Sequence, residues 1–345
     1  MKGDAKQGPT FSFVVPAYNE QEGLEHFYGR LKLVADELGE PYEIVFVNDG
    51  STDDTAGVIR RLAAVDPRVK AVEFARNFGH QVAVTAGYDF ARGRAVVSLD
   101  ADCQHPPEMI GEMVSRWREG FEVVYTVRKD TQGISPLRRG LGRLAYRVIR
   151  LASGADLTDQ ADFRLLDRKV VDVLCRHREH ARFVRGLVHH VGFRQVALGY
   201  TAERRAAGHS GYTLKQLMGM TTAGLFNFSL LPLRVAPAVG SVLLLGAVVY
   251  AVVALVLWPL GLAPSGWVSV AAAFAGLFGL QFVLLGILGE YVGRTFDEAK
   301  RRPLYIVRET LGFGEEGTPS PEPAESEPEA EAAPGQGDDD FVVFT

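Results

Sequence analysis

Asp100 and Asp102 flank a single alanine, and Gln104 follows two residues further on, in Asp100-Ala-Asp102-Cys-Gln104. Carboxylates spaced this way in an extended turn can share a hard divalent cation, which prefers oxygen ligands, together with the diphosphate it neutralises. Magnesium or manganese is the natural occupant. The competing reading is a solvated acidic turn, and two other polar clusters count against it: Pro16-Ala-Tyr18-Asn-Glu20 and Asn48-Asp49-Gly-Ser-Thr52. Asp49 can accept hydrogen bonds from a base or ribose, as the strand-end acid does in dinucleotide-binding folds. It can also simply form a turn, since Asn-Asp-Gly is good turn chemistry. Glu20 either contacts a nucleotide or opens the next helix through the helix dipole.

These clusters can work together only if strands deliver them to one place. Short apolar runs alternate with helical patterns through the first half of the chain, the signature of a parallel α/β sheet. The runs predict strands over Phe11 to Val15, Tyr42 to Asn48, Val69 to Phe74, Ala95 to Asp100 and Glu122 to Thr126. Ser51 with Asp54 resembles a capping box, and predicts the start of a helix that buries Val58, Ile59 and Leu62. In open parallel sheets ligands bind beyond the carboxyl ends of the strands, and all three polar clusters fall at such ends.

Val235 to Trp258 and Val268 to Leu288 are uncharged and apolar, each near the roughly 20 residues that a spanning helix needs. Core helices of that length normally carry a polar stripe, whereas here the polar exceptions are Ser241, Ser269 and Gln281. The connector Pro259 to Gly266 has no charge, while Arg234 precedes the first segment and Arg294, Lys300, Arg301 and Arg302 follow the second. The positive-inside rule then puts both flanks, the α/β domain and both termini in the cytoplasm. Gly289-x-x-x-Gly293 either packs helices closely or marks a helix end. After Gly314 a Pro, Glu, Ala and Gly composition cannot bury a core and predicts disorder.

At 345 residues the chain has room for one large domain plus appendages. The formal net charge of -5 sits largely in the tail, whereas Arg128 to Arg205 is rich in arginine, so a basic face survives in an acidic protein. Cys103 and Cys175 are the only cysteines, which excludes a disulfide framework or a structural zinc site and suits a reducing compartment. Met1 to Thr10 has no apolar run, so no cleavable signal peptide is expected. Arg139, Arg143, Arg147 and Arg150 recur at helical spacing with Leu144, Val148 and Leu151 on the other side. A helix over Ser135 to Gly154 would be basic and amphipathic, suited to an anionic membrane surface, or else a solvated surface helix. Gly140-x-Gly142-x-x-Ala145 mimics a dinucleotide fingerprint but follows no strand. His177 with His180, and His189 with His190, read as surface or packing histidines because no third ligand has a recognisable spacing. Asn227-Phe-Ser229 matches a glycosylation sequon that would be silent in the cytoplasm.

Taken together, Val-Val-Pro16-Ala-Tyr18-Asn-Glu20, Val-Asn-Asp49-Gly-Ser-Thr-Asp-Asp, Arg76-Asn-Phe-Gly79, Asp100-Ala-Asp-Cys-Gln-His-Pro-Pro-Glu108, Ala161-Asp162-Phe-Arg-Leu-Leu-Asp-Arg168 and Gly289-Glu-Tyr-Val-Gly-Arg294 resemble a known family. It is the inverting family 2 glycosyltransferases of the GT-A fold, specifically the polyprenyl-phosphate glycosyltransferases related to dolichol-phosphate mannosyltransferase. The likeness runs from Phe11 to about Arg308. It implies a GT-A, Rossmann-like, mostly parallel sheet followed by a two-helix transmembrane hairpin. It also implies that Pro16, Tyr18, Glu20, Asp49, Asp100 and Ala101 hold the nucleotide-sugar, that Asp102 and Gln104 ligate Mg2+ or Mn2+, and that Arg128 and Arg205 face the diphosphate or sugar. Asp162 would orient the acceptor or sugar, or else pair with Arg164. Arg139, Arg143, Arg147 and Ser210 are the acceptor-phosphate candidates. In Arg205-Ala-Ala-Gly208-His-Ser-Gly211-Tyr212, glycine stands where the family often has lysine, which leaves His209 or Arg204 to supply that cationic contact.

The expected reaction is transfer of a hexose, from UDP-glucose first and from GDP-mannose or a modified aminosugar next, to polyprenyl phosphate such as undecaprenyl phosphate. A phosphate monoester is largely ionised near neutrality because its second pKa is about 6. Catalysis should therefore rest on positioning and on neutralising the leaving diphosphate, with Asp100, Asp102 and Asp162 as the catalytic candidates and inversion at the anomeric carbon. The expected organisation is a flexible 1–10, a catalytic domain over 11–212, a juxtamembrane amphipathic segment over 213–233, two spans within 234–293, a basic cytoplasmic segment over 294–313 and an acidic tail over 314–345. The partners are the donor, the lipid acceptor and the bilayer; a homo-oligomer is compatible and no nucleic acid is expected. A processive polysaccharide synthase should show Gln-x-x-Arg-Trp and more spans, a transport subunit should carry intramembrane charge, and a non-catalytic scaffold is opposed by the intact Asp100, Asp102 and Gln104.

Overall fold

Strands β1 (Phe11–Ala17) and β2 (Tyr42–Asn48) are buried along their whole length and pair in parallel, as strands covered on both faces do. The computed structural model describes residues 8–102, 104–128, 160–180, 182–200, 231–257, 259 and 266–314. The other strands are β3 (Val69–Phe74), β4 (Ala95–Ser98), β5 (Val123–Arg128), β6 (Gln160–Asp167), β7 (Gln195–Tyr200) and β8 (Val307–Leu311), in the sheet order β7-β5-β6-β4-β1-β2-β3-β8. Helices α1 (Leu24–Glu37), α2 (Thr55–Val65) and α3 (His80–Phe90) follow the first three strands, and a 3-10 turn leads into α4 (Ile110–Arg118) after β4. Helices α5 (Arg168–Arg176) and α6 (Val184–His190) follow β6. Side chains alternate across β1: Phe11, Phe13 and Val15 join Phe27 and Leu31 of α1, while Val14 joins Val84 and Tyr88 of α3 on the other face.

The five strands that the run pattern predicts, β1 to β5, all run in the same direction, and the sheet is mixed because two further strands run against them. Strand β6 runs antiparallel to both β4 and β5, and β8 antiparallel to β3. A strand's direction is set by the connection that brings it to the sheet, and apolar patterning carries no sign for it. Strand β4 ends at Ser98 rather than Asp100, because its ladder with β1 stops at Val14 and the chain then turns. The capping box does not form. Helix α2 begins at Thr55 with no side-chain cap bond from Asp54; Ser51 Oγ instead accepts the Asn19 N–H at 3.0 Å, and Asp53 Oδ1 accepts the Thr55 N–H at 3.0 Å. Val58, Ile59 and Leu62 are buried as expected.

Helices α7 (Leu231–Leu257) and α8 (Gly266–Ala299) contain two stretches long and apolar enough to cross a membrane, Pro237–Leu257 and Gly276–Ala299, and neither stretch is buried in the chain. Val242 and Phe282 are 70% and 71% exposed. Apolar surface this contiguous marks a membrane or partner contact rather than a soluble face. Helix α8 continues past Leu288, so Gly289 and Gly293 lie within it, with open space around both, and Arg294 pairs with Glu290 at 2.8 Å one turn earlier.

The chain then comes back to the domain. Tyr305 stacks on Phe74 at 5.1 Å and donates its hydroxyl to Asp89 Oδ2 at 2.7 Å, Ala75 N–H reaches the Ile306 carbonyl at 2.9 Å, and β8 pairs with β3. The segment expected as a basic one, 294–313, holds the end of α8 and the edge strand β8. The expected amphipathic helix over Ser135 to Gly154, the acceptor loop Arg205 to Tyr212 and the tail beyond Gly314 lie outside the described residues.

Candidate active site

Three loops meet at the carboxyl ends of β1, β2 and β4. Asn19 takes a left-handed φ of 57°, which asparagine tolerates because its short side chain bonds locally. Its Oδ1 accepts the Thr52 N–H at 2.8 Å. Glu20 N–H reaches Thr55 Oγ1 at 2.9 Å, and Gln21 Oε1 accepts the Asp54 N–H at 2.8 Å. These bonds zip the loop after β1 to the loop after β2 and leave Tyr18 45% exposed beside them. Pro16 and Ala101 are buried, so each offers a ligand its backbone only.

Asp49 ends β2 almost wholly buried, and its carboxylate is already engaged: Oδ1 accepts the Phe78 N–H at 2.7 Å and Oδ2 the Gly79 N–H at 2.9 Å. Burial pushes its pKa up, the two N–H bonds and the nearby His80 and Arg76 oppose this, and the net shift is upward. Beside it Gly50 has a φ of 64°, and a Cβ there would lie 2.4 Å from the Arg76 carbonyl carbon. Glycine is what lets the loops after β2 and β3 approach this closely.

The antiparallel ladder ends with Ser98 opposite Arg164, and beyond it Asp100 and Asp162 both come within ion-pair distance of one ring nitrogen of His80. His80, the first residue of α3, points Nε2 between them, 3.6 Å from Asp100 Oδ1 and 3.7 Å from Asp162 Oδ2. Arg164 Nη2, on a side chain 2% exposed, donates to Asp162 Oδ1 at 2.7 Å. Arg185 on α6 makes a two-point fork, Nε to Oδ1 at 3.0 Å and Nη2 to Oδ2 at 2.7 Å. Burial alone would raise the Asp162 pKa; the Arg185 charge, the adjacent His80, the bonds from Arg185 and the Arg164 charge outweigh it and hold the carboxyl well below the usual range. For His80 burial pulls downward, the adjacent Asp162 and Asp100 carboxylates pull upward, and the net shift is upward. On its other side Asp100 faces His105, whose ring is buried against Phe163 at 5.4 Å.

Asp102 Oδ1 accepts the Gln104 N–H at 3.0 Å, which closes the turn and leaves both side chains half-buried. One carboxylate and one amide, both oxygen donors on a single turn, suit Mg2+ or Mn2+, which keeps positions for water and phosphate oxygens. Among the described residues no group of three His, Cys, Asp or Glu side chains forms a complete cage. Arg128 ends β5 opposite Tyr200, beside the turn. Arg139, Arg143, Arg147, Arg205 and Ser210 lie outside the described residues. His177 bonds the Val173 carbonyl and His180 meets Glu298 at the end of α8.

Sequence reasoning brings Tyr18, Glu20, Asp49, Asp100, Asp102 and Gln104 to this end of the sheet, and the structure gathers them there. It misses His80 and Arg185. His80 directly follows the Arg76-Asn-Phe-Gly79 motif, a signal one residue away, whereas nothing in Val184-Arg-Gly-Leu sets Arg185 apart from other surface arginines.

The sequence model described as Glycosyl transferase family 2 matches residues 12–174. An uncharacterized glycosyltransferase of Bacillus subtilis, YkcC, is 43% identical over 306 residues, covering 88% of this chain and 94% of that protein. A prophage bactoprenol glucosyl transferase homolog of Escherichia coli is 34% identical over 304 residues, covering 86% and 98%. Among solved structures, glucosyl-3-phosphoglycerate synthase from Mycobacterium tuberculosis in complex with Mn2+, UDP-glucose and phosphoglyceric acid matches 64% of this chain and 78% of that chain at 20% identity, with a TM-score of 0.44.

Proposed function

The chain belongs to glycosyl transferase family 2 and is a glycosyltransferase, and from that premise we propose that it transfers a hexose from a nucleotide-sugar to polyprenyl phosphate at the cytoplasmic face of a membrane. The observation that carries this reading is a coincidence in one chain. Asp49, Asp100, Asp102 and Asp162 gather at one end of the sheet, and two exposed apolar helices are tied to that same sheet through β8. The relative named as a bactoprenol glucosyl transferase homolog, matched over 98% of its length, supports the lipid phosphate as acceptor and UDP-glucose as the first donor.

In this reading Tyr18, Glu20 and Asp49, with the backbone at Pro16 and Ala101, hold the nucleotide, while Arg128 and Arg205 face the diphosphate or sugar. Asp102 and Gln104 hold Mg2+ or Mn2+, which when bound supplies Lewis-acid neutralisation of the leaving diphosphate. Asp162 keeps its charge at neutral pH and is a poor proton acceptor. No base is needed, because the acceptor phosphate is already ionised. Asp162 therefore orients, and one in-line displacement inverts the anomeric carbon. Arg139, Arg143, Arg147 and Ser210 meet the acceptor phosphate. Strand β8 follows α8 and pairs within the sheet that precedes α7, so two crossings return the chain to its starting side. The basic residues there support a cytoplasmic placement of that side.

The test uses full-length protein in nanodiscs with undecaprenyl phosphate, Mn2+ or Mg2+, and a panel of nucleotide-sugars. Glucosylated lipid and free UDP should appear only when UDP-glucose, lipid phosphate and metal are all present. A preference for GDP-mannose or an aminosugar donor would keep the acceptor and change the sugar. Nucleotide release that is indifferent to lipid phosphate would overturn the reading.

A further inference from the structure

His80 is where three pieces of the site touch. Its backbone neighbour Gly79 is held by Asp49 at the end of β2, and its ring reaches Asp100 after β4 and Asp162 on β6. Like charges set across neighbouring strands repel. Asp162 has Arg164 and Arg185 to balance it, whereas Asp100 has a histidine on each side, with His105 buried behind it and His80 41% exposed. A histidine that served only packing would be covered, as His105 is. The two Nε2 distances, 3.6 and 3.7 Å, are nearly equal. Both exceed the roughly 2.7–3.2 Å of a short directional bond, so the ring sits between the two carboxylates within ion-pair distance of each and closer to neither.

We propose that His80 is a positioning residue of the transfer reaction, bridging Asp100 and Asp162 and so setting the spacing between the donor carboxylates and the residues that orient the acceptor. The proposal rests on the reaction proposed above. Displacing reacting groups by about 1 Å can cost about 100-fold in rate, so a residue that governs this spacing acts on turnover more than on donor affinity. The link also runs upstream: Asp49 fixes Gly79, Gly79 starts α3, and α3 aims His80.

Full-length protein in nanodiscs serves for the test. His80→Ala should lower kcat by about 10- to 100-fold while leaving KM for the nucleotide-sugar within about threefold, since an interaction that matters only for reaching the transition state moves kcat alone. His80→Gln, whose amide can donate to two oxygens, should recover part of the loss. Histidine NMR titration reads the bridge without any substrate: the His80 midpoint should fall in Asp100→Asn, a variant at a partly exposed position. A His80→Ala enzyme with wild-type Tm and kcat within twofold of wild type overturns the proposal, as does a His80 midpoint that Asp100→Asn leaves in place. If wild type transfers no sugar to lipid phosphate from any donor, the proposed reaction falls, and the NMR arm alone decides whether the bridge exists.

Discussion

Arg185 grips Asp162 at two points, 3.0 and 2.7 Å, from 23 residues further along the chain. Arg164, two residues from Asp162 on the same strand, holds Oδ1 from a position that solvent does not reach. A carboxylate held by two guanidinium groups has its orientation decided before any substrate arrives. Arg185 also ties α6 to β6, so a local pair doubles as a tertiary link.

Replacing Asp162 should cost stability as well as activity. Asp162→Asn leaves Arg164 buried without its counter-charge, a loss of about 3 kcal/mol. Thermal unfolding should show it as a fall on the order of 10 °C in Tm. The carboxyl pKa is depressed in the folded protein, so its contribution is present above the ordinary value of 3.8 and is lost as pH falls through the lower folded value. The Tm gap between wild type and variant should therefore be full at pH 7 and narrow in strong acid; a gap unchanged at both would contradict the pairing.

Asp102→Asn separates the metal reading from the fold. The residue is half-buried and sits in a turn rather than in the core, so the variant should stay within about 0.5 kcal/mol of wild-type stability. Turnover should fall by at least about 100-fold and no longer respond to Mn2+ or Mg2+, because a neutral amide is a poorer ligand for a hard cation. Full activity after chelation of the wild-type enzyme would refute it.

Gly50→Ala should damage the site from behind. The left-handed φ of 64° alone costs a side chain about 1–2 kcal/mol. The added methyl would also push the Arg76 to Gly79 loop away from Asp49. Denaturant unfolding should place the variant at least 1 kcal/mol below wild type, with reduced turnover; wild-type values for both would show that the loops do not need this contact.

Truncation tests the returning strand. A chain ending at Gly317 should keep its stability and activity, while one ending at Arg302 loses Tyr305, β8 and Phe313 and uncovers the β3 edge and Phe74. The shorter chain should unfold at lower denaturant and aggregate, as exposed edges do. Tyr305→Phe removes one hydrogen bond to Asp89 and keeps the stacked ring, for a loss of about 1 kcal/mol. Equal stability of both truncations would mean that β8 contributes nothing.

Local pattern alone determined much of this protein. Apolar runs ended by polar turns located β1, β2 and β3, and the length and charge-free character of two later segments marked α7 and α8, because periodicity and composition act over neighbouring residues. The residues of Asp100-Ala-Asp102-Cys-Gln104 were legible for the same reason. What the tertiary structure decided is which distant groups meet. Strand direction depends on the path of the connection, so the antiparallel course of β6, which carries Asp162, left no trace in the sequence of β6 itself. Ser51 could have capped α2, but the neighbouring loop offered the Asn19 N–H instead. Asp49 reads as a turn or a nucleotide contact until Phe78 and Gly79 arrive beside it, and the strand Val307–Leu311, too charged to announce itself, forms because β3 presents an open edge to it. His80 and Arg185 acquire a role only through partners remote in the chain, since an ion pair is fixed by distance in space and sequence spacing does not encode that distance.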